Sequence, residues 1–333
     1  MRQASLARTR LQKDVVPHWM IGLRQKLTDR IQANLPKEEA ALLSGILYGE
    51  RLFSAETQKT FRRAGLMHIV AVSGANISVI VLVMGRVLLR LRRSRVQTWA
   101  LLVGGITAFV LFVAPSASVT RAAIMGVLIE LAPLTGRLVR PLRLLLVTAV
   151  LVVLWQPGAL LLDAGFILSF LAMLGLICLV PYIDPLIPKR CPALPRETIT
   201  STCAATLMTG PYLAWVFRSW SILGCFTNLL IVPLIPWTMF FGALALFLPL
   251  GRIGFLPVQG CLSLILWIAH RTDSVTWGVW DKITISWVWM VAIYIVLFVL
   301  WRLGEHRKRL IHRIEKKKNI LIFLFCAVGL NNF

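Results

Sequence analysis

The chain has 333 residues, 58% of them hydrophobic, and a mean hydropathy of +0.77. That composition excludes an ordinary soluble domain and points to a protein with many membrane helices. The net charge of +22 fits cytoplasmic loops loaded with Lys and Arg; it also suits a polyanionic partner, but does not by itself establish one.

Residues 1–65 form a basic, partly helical N-terminal region without the apolar core of a signal peptide. From Pro36 the pattern Lys-Glu-Glu-Ala-Ala-Leu-Leu-Ser-Gly-Ile-Leu-Tyr-Gly-Glu predicts a helix with an acidic first turn, as the helix dipole favours. Ser54 is a candidate cap for a second helix, with Glu56 in its first turn.

Residues 66–303 read as membrane-embedded. Nine spans are expected, at about 66–89, 98–114, 117–133, 141–157, 163–181, 199–217, 222–249, 257–270 and 284–303. The 222–249 stretch holds Pro233 and Pro236, which predicts a broken helix or a re-entrant pair. The 257–270 run is short enough to lie in the interface, near an aromatic belt of Trp267, Trp277, Trp280, Trp287 and Trp289. The basic clusters Arg86–Arg95, Arg137–Arg143, Lys189–Arg196 and Arg302–Lys318 follow odd-numbered spans. Strict alternation then makes those loops cytoplasmic and the segment before Leu66 extracytoplasmic. Residues 304–333 read as a basic loop and the opening of a further crossing, which predicts a truncated product or a split gene. The expected fold is all-α, a polytopic integral membrane protein of about nine to ten membrane helices including the broken segment.

Several polar residues sit where hydrocarbon penalises them. Ser73, Gly74 and Asn76 fall in the first span, with Ser73 and Asn76 on one helical face and Gly74 allowing close approach or unwinding. Ordinary helix–helix hydrogen bonding is the competing reading for them. Arg121 and Glu130 share the third span on opposite sides, so each needs its own partner. Arg121 could serve a functional route or snorkel at an interface, and Glu130 is expected to have a structural partner. Asp163 is expected to cap the fifth span, and Ser169 to bond within its own helix. Asn228, five residues before Pro233, could satisfy the broken backbone or touch a permeant.

Other chemistry is missing. The chain carries no phosphate-binding G-x-x-x-x-G-K-[ST] loop and no G-x-S-x-G elbow. His68 stands five residues from Ser73, a poor helical spacing for activating a nucleophile. The six cysteines form no C-x-x-C pair and the five histidines show no ligand spacing, so neither a metal nor another cofactor is expected. No catalytic residue is assigned.

The words Phe61-Arg-Arg-Ala-Gly-Leu-Met-His-Ile-Val-Ala-Val-Ser-Gly74, Ser116-Ala-Ser-Val-Thr-Arg-Ala-Ala-Ile-Met125, Asp163-Ala-Gly-Phe-Ile-Leu-Ser-Phe170 and Asn228-Leu-Leu-Ile-Val-Pro233 together resemble the competence domain of ComEC-type DNA-uptake proteins, from about Glu38 to Arg302. The family often has a histidine where Asn76 stands and a glutamine where Ile167 stands, so any DNA contact there would be altered. Relatives usually carry an oligonucleotide-binding-fold domain before the membrane region, and many a nuclease-like metallo-β-lactamase domain after it. Neither is expected in this chain, so no enzymatic activity is carried over.

The resemblance implies a channel for single-stranded DNA across the cytoplasmic membrane in natural transformation. An extracytoplasmic DNA receptor and a cytoplasmic helicase-like ATPase would be its partners, besides membrane lipid and a possible homo-oligomer. Arg121, Ser73, Gly74, Asn76 and Asn228 are the candidates for the DNA path, with Arg62 and Arg63 at its outer mouth. His68, Glu130, Asp163, Ser169 and Pro233 are packing or gating candidates. A small-anion or metabolite transporter and a non-conducting scaffold or remnant remain open.

Overall fold

A computed structural model describes residues 17–50, 52–70, 74–90, 94–113, 117–135, 140–155, 163–188, 190–221, 223–248, 251–275, 279–281 and 285–306. Four helices come first: α1 (His18–Asn34), α2 (Lys37–Tyr48), α3 (Ala55–Arg63) and the short α4 (Met67–Val70). Six follow: α5 (Gly74–Arg90), α6 (Arg95–Val113), α7 (Ala117–Thr135), α8 (Pro141–Trp155), α9 (Ala164–Ile183) and α10 (Ala193–Phe217). The last set is α11 (Leu223–Ile231), α12 (Leu234–Phe247), α13 (Gly251–Asp273) and α14 (Trp287–His306). A ribbon of two three-residue strands, β1 (Ser219–Ser221) antiparallel to β2 (Val279–Asp281), joins the turns after α10 and before α14.

The all-α polytopic architecture is therefore what the chain adopts. Among the described residues, four stretches are long and apolar enough to cross a membrane: Val96–Val113, Ala164–Leu186, Gly251–Asp273 and Trp287–His306. The pair α11–α12, bent by 44°, makes a fifth if it counts as one span. Here the expectation of a break at Pro233 is met: α11 ends at Ile231 and Pro233 caps α12, because proline cannot supply the missing backbone donor. The 257–270 run, expected to be short, is part of a 23-residue helix. Pro257 costs it one backbone bond without ending it.

Local signals account for the N-terminal helices. Glu38 and Glu39 occupy the first turn of α2, and Gly49 ends it in the left-handed conformation. The Ser54 hydroxyl accepts from the Thr57 amide at 3.1 Å and starts α3, as expected. These helices are not peripheral. Leu42, Leu43, Ile46, Phe61, Phe255 and Leu262 are fully buried and belong to one core, formed where α2 and α3 meet α12 and α13. The helices α5 to α10 pack on one another in chain order, most extensively α9 against α10. At that crossing a Cβ on Gly175 would fall 2.5 Å from the Ala204 carbonyl oxygen, so only glycine permits it. On the same pair lies α14, through Tyr294 donating to the Met208 carbonyl and Tyr182 donating to Glu305.

One feature of the packing conflicts with strict alternation. From α1, Arg24 Nε donates to the Phe112 carbonyl at the end of α6, and Arg30 donates to the Leu248 carbonyl at the end of α12, at 2.6 Å. Both carbonyls lie where intrahelical donors have run out, and a cation suits a helix C-terminus. Alternation would set those two helix ends on opposite faces. Six residues of α1 span about 9 Å, and two arginine side chains cannot stretch that across a hydrocarbon layer of about 30 Å. Strict alternation of single crossings therefore fails somewhere between the end of α6 and the end of α12. Beside Arg24, Tyr48 bonds Thr28 at 2.8 Å and Ser44 at 3.2 Å, and burial pushes its hydroxyl above the ordinary tyrosine range.

Candidate functional site

The four sequence words come together in pairs. The first meets the residues that lead into the fourth, at the start of α11. Helix α3 closes with a Schellman motif: the Gly65 amide donates to the Arg62 carbonyl and the Leu66 amide to the Phe61 carbonyl. Gly65 takes φ +72°, which only glycine adopts without strain. The turn then presses on the start of α11, so that a Cβ on Gly65 would lie 2.7 Å from Gly224 Cα. The Thr227 hydroxyl lies 2.8 Å from the Ala64 carbonyl and 2.7 Å from that of Leu223. Next to it, Asn228 Oδ1 is buried with no hydrogen-bond partner among the described residues, an acceptor left open beside the Pro233 break. The expectation that Asn228 satisfies the broken backbone is not met by that oxygen.

At the same turn Arg63 forms an ion pair with Asp273 at 3.0 Å, and Thr60 donates to the other oxygen of that carboxylate at 3.0 Å. Arg63 is thus engaged by α13, whereas its neighbour Arg62 is exposed. Both were expected to be available at an outer mouth; Arg63 is paired with Asp273 and Arg62 is exposed. Asp273, Thr227 and Gly224 had no signal in the sequence, because nothing local marks a partner more than 150 residues away.

The second word meets the third. Arg121 is 6% exposed on α7, and its Nε donates to Ser169 Oγ on α9 at 2.7 Å. One terminal nitrogen lies 3.5 Å from Met125 Sδ, and the guanidinium stands 5.9 Å from the Phe170 ring centroid. No carboxylate pairs with it among the described residues. Ser169 was expected to bond within its own helix; its hydroxyl also bridges two helices, because a buried guanidinium takes whatever acceptor is within reach. Arg121 does not snorkel.

Asn76 is 3% exposed, and its amide donates to the Ile46 carbonyl at 2.8 Å. That carbonyl belongs to the last turn of α2 and has no helical donor, so Asn76 ties α5 to α2. This is the helix–helix bonding that competed with the path reading. Asn76→Leu, similar in size but unable to donate, is expected to lower stability by about 1 kcal/mol, read by unfolding in mild detergent. An unchanged midpoint would mean the bond contributes nothing.

The remaining candidates fall as follows. Asp163 caps α9 as expected, its Oδ1 accepting from the Gly165 amide at 2.9 Å. Glu130 was expected to have a structural partner, but it is exposed on α7 and has none among the described residues. Its side of the helix faces away from the α7–α9 contact that holds Arg121. Gly74 opens α5, and His68 lies within α4, though its side chain is outside what the structure describes. Ser73 lies outside the described residues.

A family model described as competence protein matches residues 46–307. The "ComE operon protein 3" of Bacillus subtilis (strain 168) is 25% identical over 227 residues, which cover 68% of this chain and 28% of that protein. The chain thus spans well under two thirds of that relative. No solved structure matches.

Proposed function

Since the chain belongs to the competence protein family, with most of its length inside the family's domain, we propose that it conducts single-stranded DNA across the cytoplasmic membrane during DNA uptake. The observation that carries this reading is Arg121. A buried guanidinium within an apolar helix costs several kcal/mol unless a counter-charge offsets it. Here its neighbours are a hydroxyl, a thioether and an aromatic ring. A passing phosphate would supply the missing charge, transiently, as a route that must also release its cargo requires. The exposed Arg62, beside the Gly65 turn, would gather the strand before it enters. Passage rather than catalysis is the activity proposed. Drive would come from a cytoplasmic helicase-like ATPase and delivery from an external receptor.

The reading is tested in planar bilayers containing the full chain, where an applied potential replaces the motor. Single-stranded oligonucleotide is expected to cause transient current blockades whose frequency rises with its concentration, while duplex of equal length causes fewer. A conductance indifferent to oligonucleotide but selective for a small anion would overturn it in favour of a transporter. Absence of any conductance would favour a scaffold.

A further inference from the structure

We propose that a groove between α11 and α13 holds one anionic phospholipid, with its phosphate on Arg271 and an acyl chain along α11. This groove, of about 210 Å³, is walled by Leu223, Phe226 and Leu230 from α11 and by Trp267, Ile268 and Arg271 from α13. The polar groups within it are nearly all committed. Thr227 bonds the Ala64 and Leu223 carbonyls, and Thr272 bonds the Ile268 carbonyl at 2.8 Å. Asp273, two residues beyond Arg271, is held by Arg63 and Thr60.

Arg271 remains. It is exposed, its guanidinium lies 5.6 Å from the Trp267 ring centroid, and no carboxylate pairs with it among the described residues. Stacking on a ring leaves the N–H groups of a guanidinium free to bind an oxyanion. The groove thus offers a single cationic head beside a long apolar wall, on which Phe226 and Leu230 are 63% and 58% exposed. An amphiphile with one phosphate and a hydrocarbon tail matches that pattern. A nucleic-acid strand does not: it brings a phosphate at every nucleotide and base edges that need partners, and among the described lining residues only the single indole N–H of Trp267 remains as a further free donor.

Native mass spectrometry of the full chain released from nanodiscs of phosphatidylglycerol and phosphatidylcholine tests this. The wild-type chain should retain phosphatidylglycerol in preference to phosphatidylcholine. Arg271→Gln should lower that retention about fivefold, the effect of one interfacial cation. Leu230→Trp, which fills the groove without touching the charge, should lower retention of both lipids. Arg252→Gln, an exposed arginine on the same helix, should change nothing. Equal retention by the wild type and Arg271→Gln would overturn the proposal. So would displacement of the retained lipid by a short deoxythymidine oligonucleotide, which would make the groove a nucleic-acid site.

Discussion

Gly65→Ala is expected to remove most of the folded protein from the membrane. Two costs coincide at this residue. Its φ of +72° is strained for any residue with a Cβ, by about 1–2 kcal/mol. The added methyl would also stand 2.7 Å from Gly224 Cα, a backbone atom that cannot rotate away. Relief requires the turn after α3 to separate from α11, which would stretch the Thr227–Ala64 bond and loosen the Arg63–Asp273 pair. The combined destabilisation should reach about 2–4 kcal/mol, the range of severe backbone and packing changes. Unfolding in mild detergent and abundance in the membrane fraction both report it. Gly260→Ala is the paired control: nothing lies within 4 Å of its added Cβ, and the substitution sits inside α13. It should stabilise by about 0.5–1 kcal/mol through helix propensity alone. A Gly65→Ala chain as stable as wild type would mean that the turn and α11 do not meet as described.

How much of this could be read from the chain divides along the reach of each interaction. Caps and breaks are local, and Ser54, Asp163, Gly49 and Pro233 act where the pattern of residues places them, since each acts within a turn or so of its own position. Apolar length likewise made the helices of the crossing region legible. What could not be read is which helices face one another. Hydropathy treats α7 and α9 as equivalent apolar rods and says nothing of Arg121 reaching Ser169, 48 residues on. Nor does it reveal that Asn76 serves the end of α2, or that α1 reaches two helix ends that alternation would set apart. Glu130 shows the converse error. A charge inside an apolar run invites a buried partner, yet its helical phase turns it outward. The motif words were visible as words; the meeting of the second with the third, and of the first with the turn of α11 that leads into the fourth, is a property of the fold.

Arg121→Met should leave the chain folded and in the membrane while lowering DNA uptake at least about tenfold, a loss of some 1.4 kcal/mol at the limiting step. Methionine keeps much of the buried volume and removes the charge, and replacing a buried ionic group by an apolar one of similar size is often close to neutral for stability. Ser169→Ala is expected to behave in the opposite manner. It keeps the cation but deprives Nε of its acceptor at 2.7 Å, so stability should fall by about 1–3 kcal/mol, the penalty for a buried unpaired donor. In the double variant the stability loss of Ser169→Ala should largely vanish, because no guanidinium remains to be stranded. Detergent unfolding gives the stability arm; entry of labelled single-stranded DNA into cells whose only copy is the variant gives the other. Uptake equal to wild type in Arg121→Met would reduce Arg121 to a brace between α7 and α9. The charge would then have no role in transport, and the route for DNA would have to be sought along other helices.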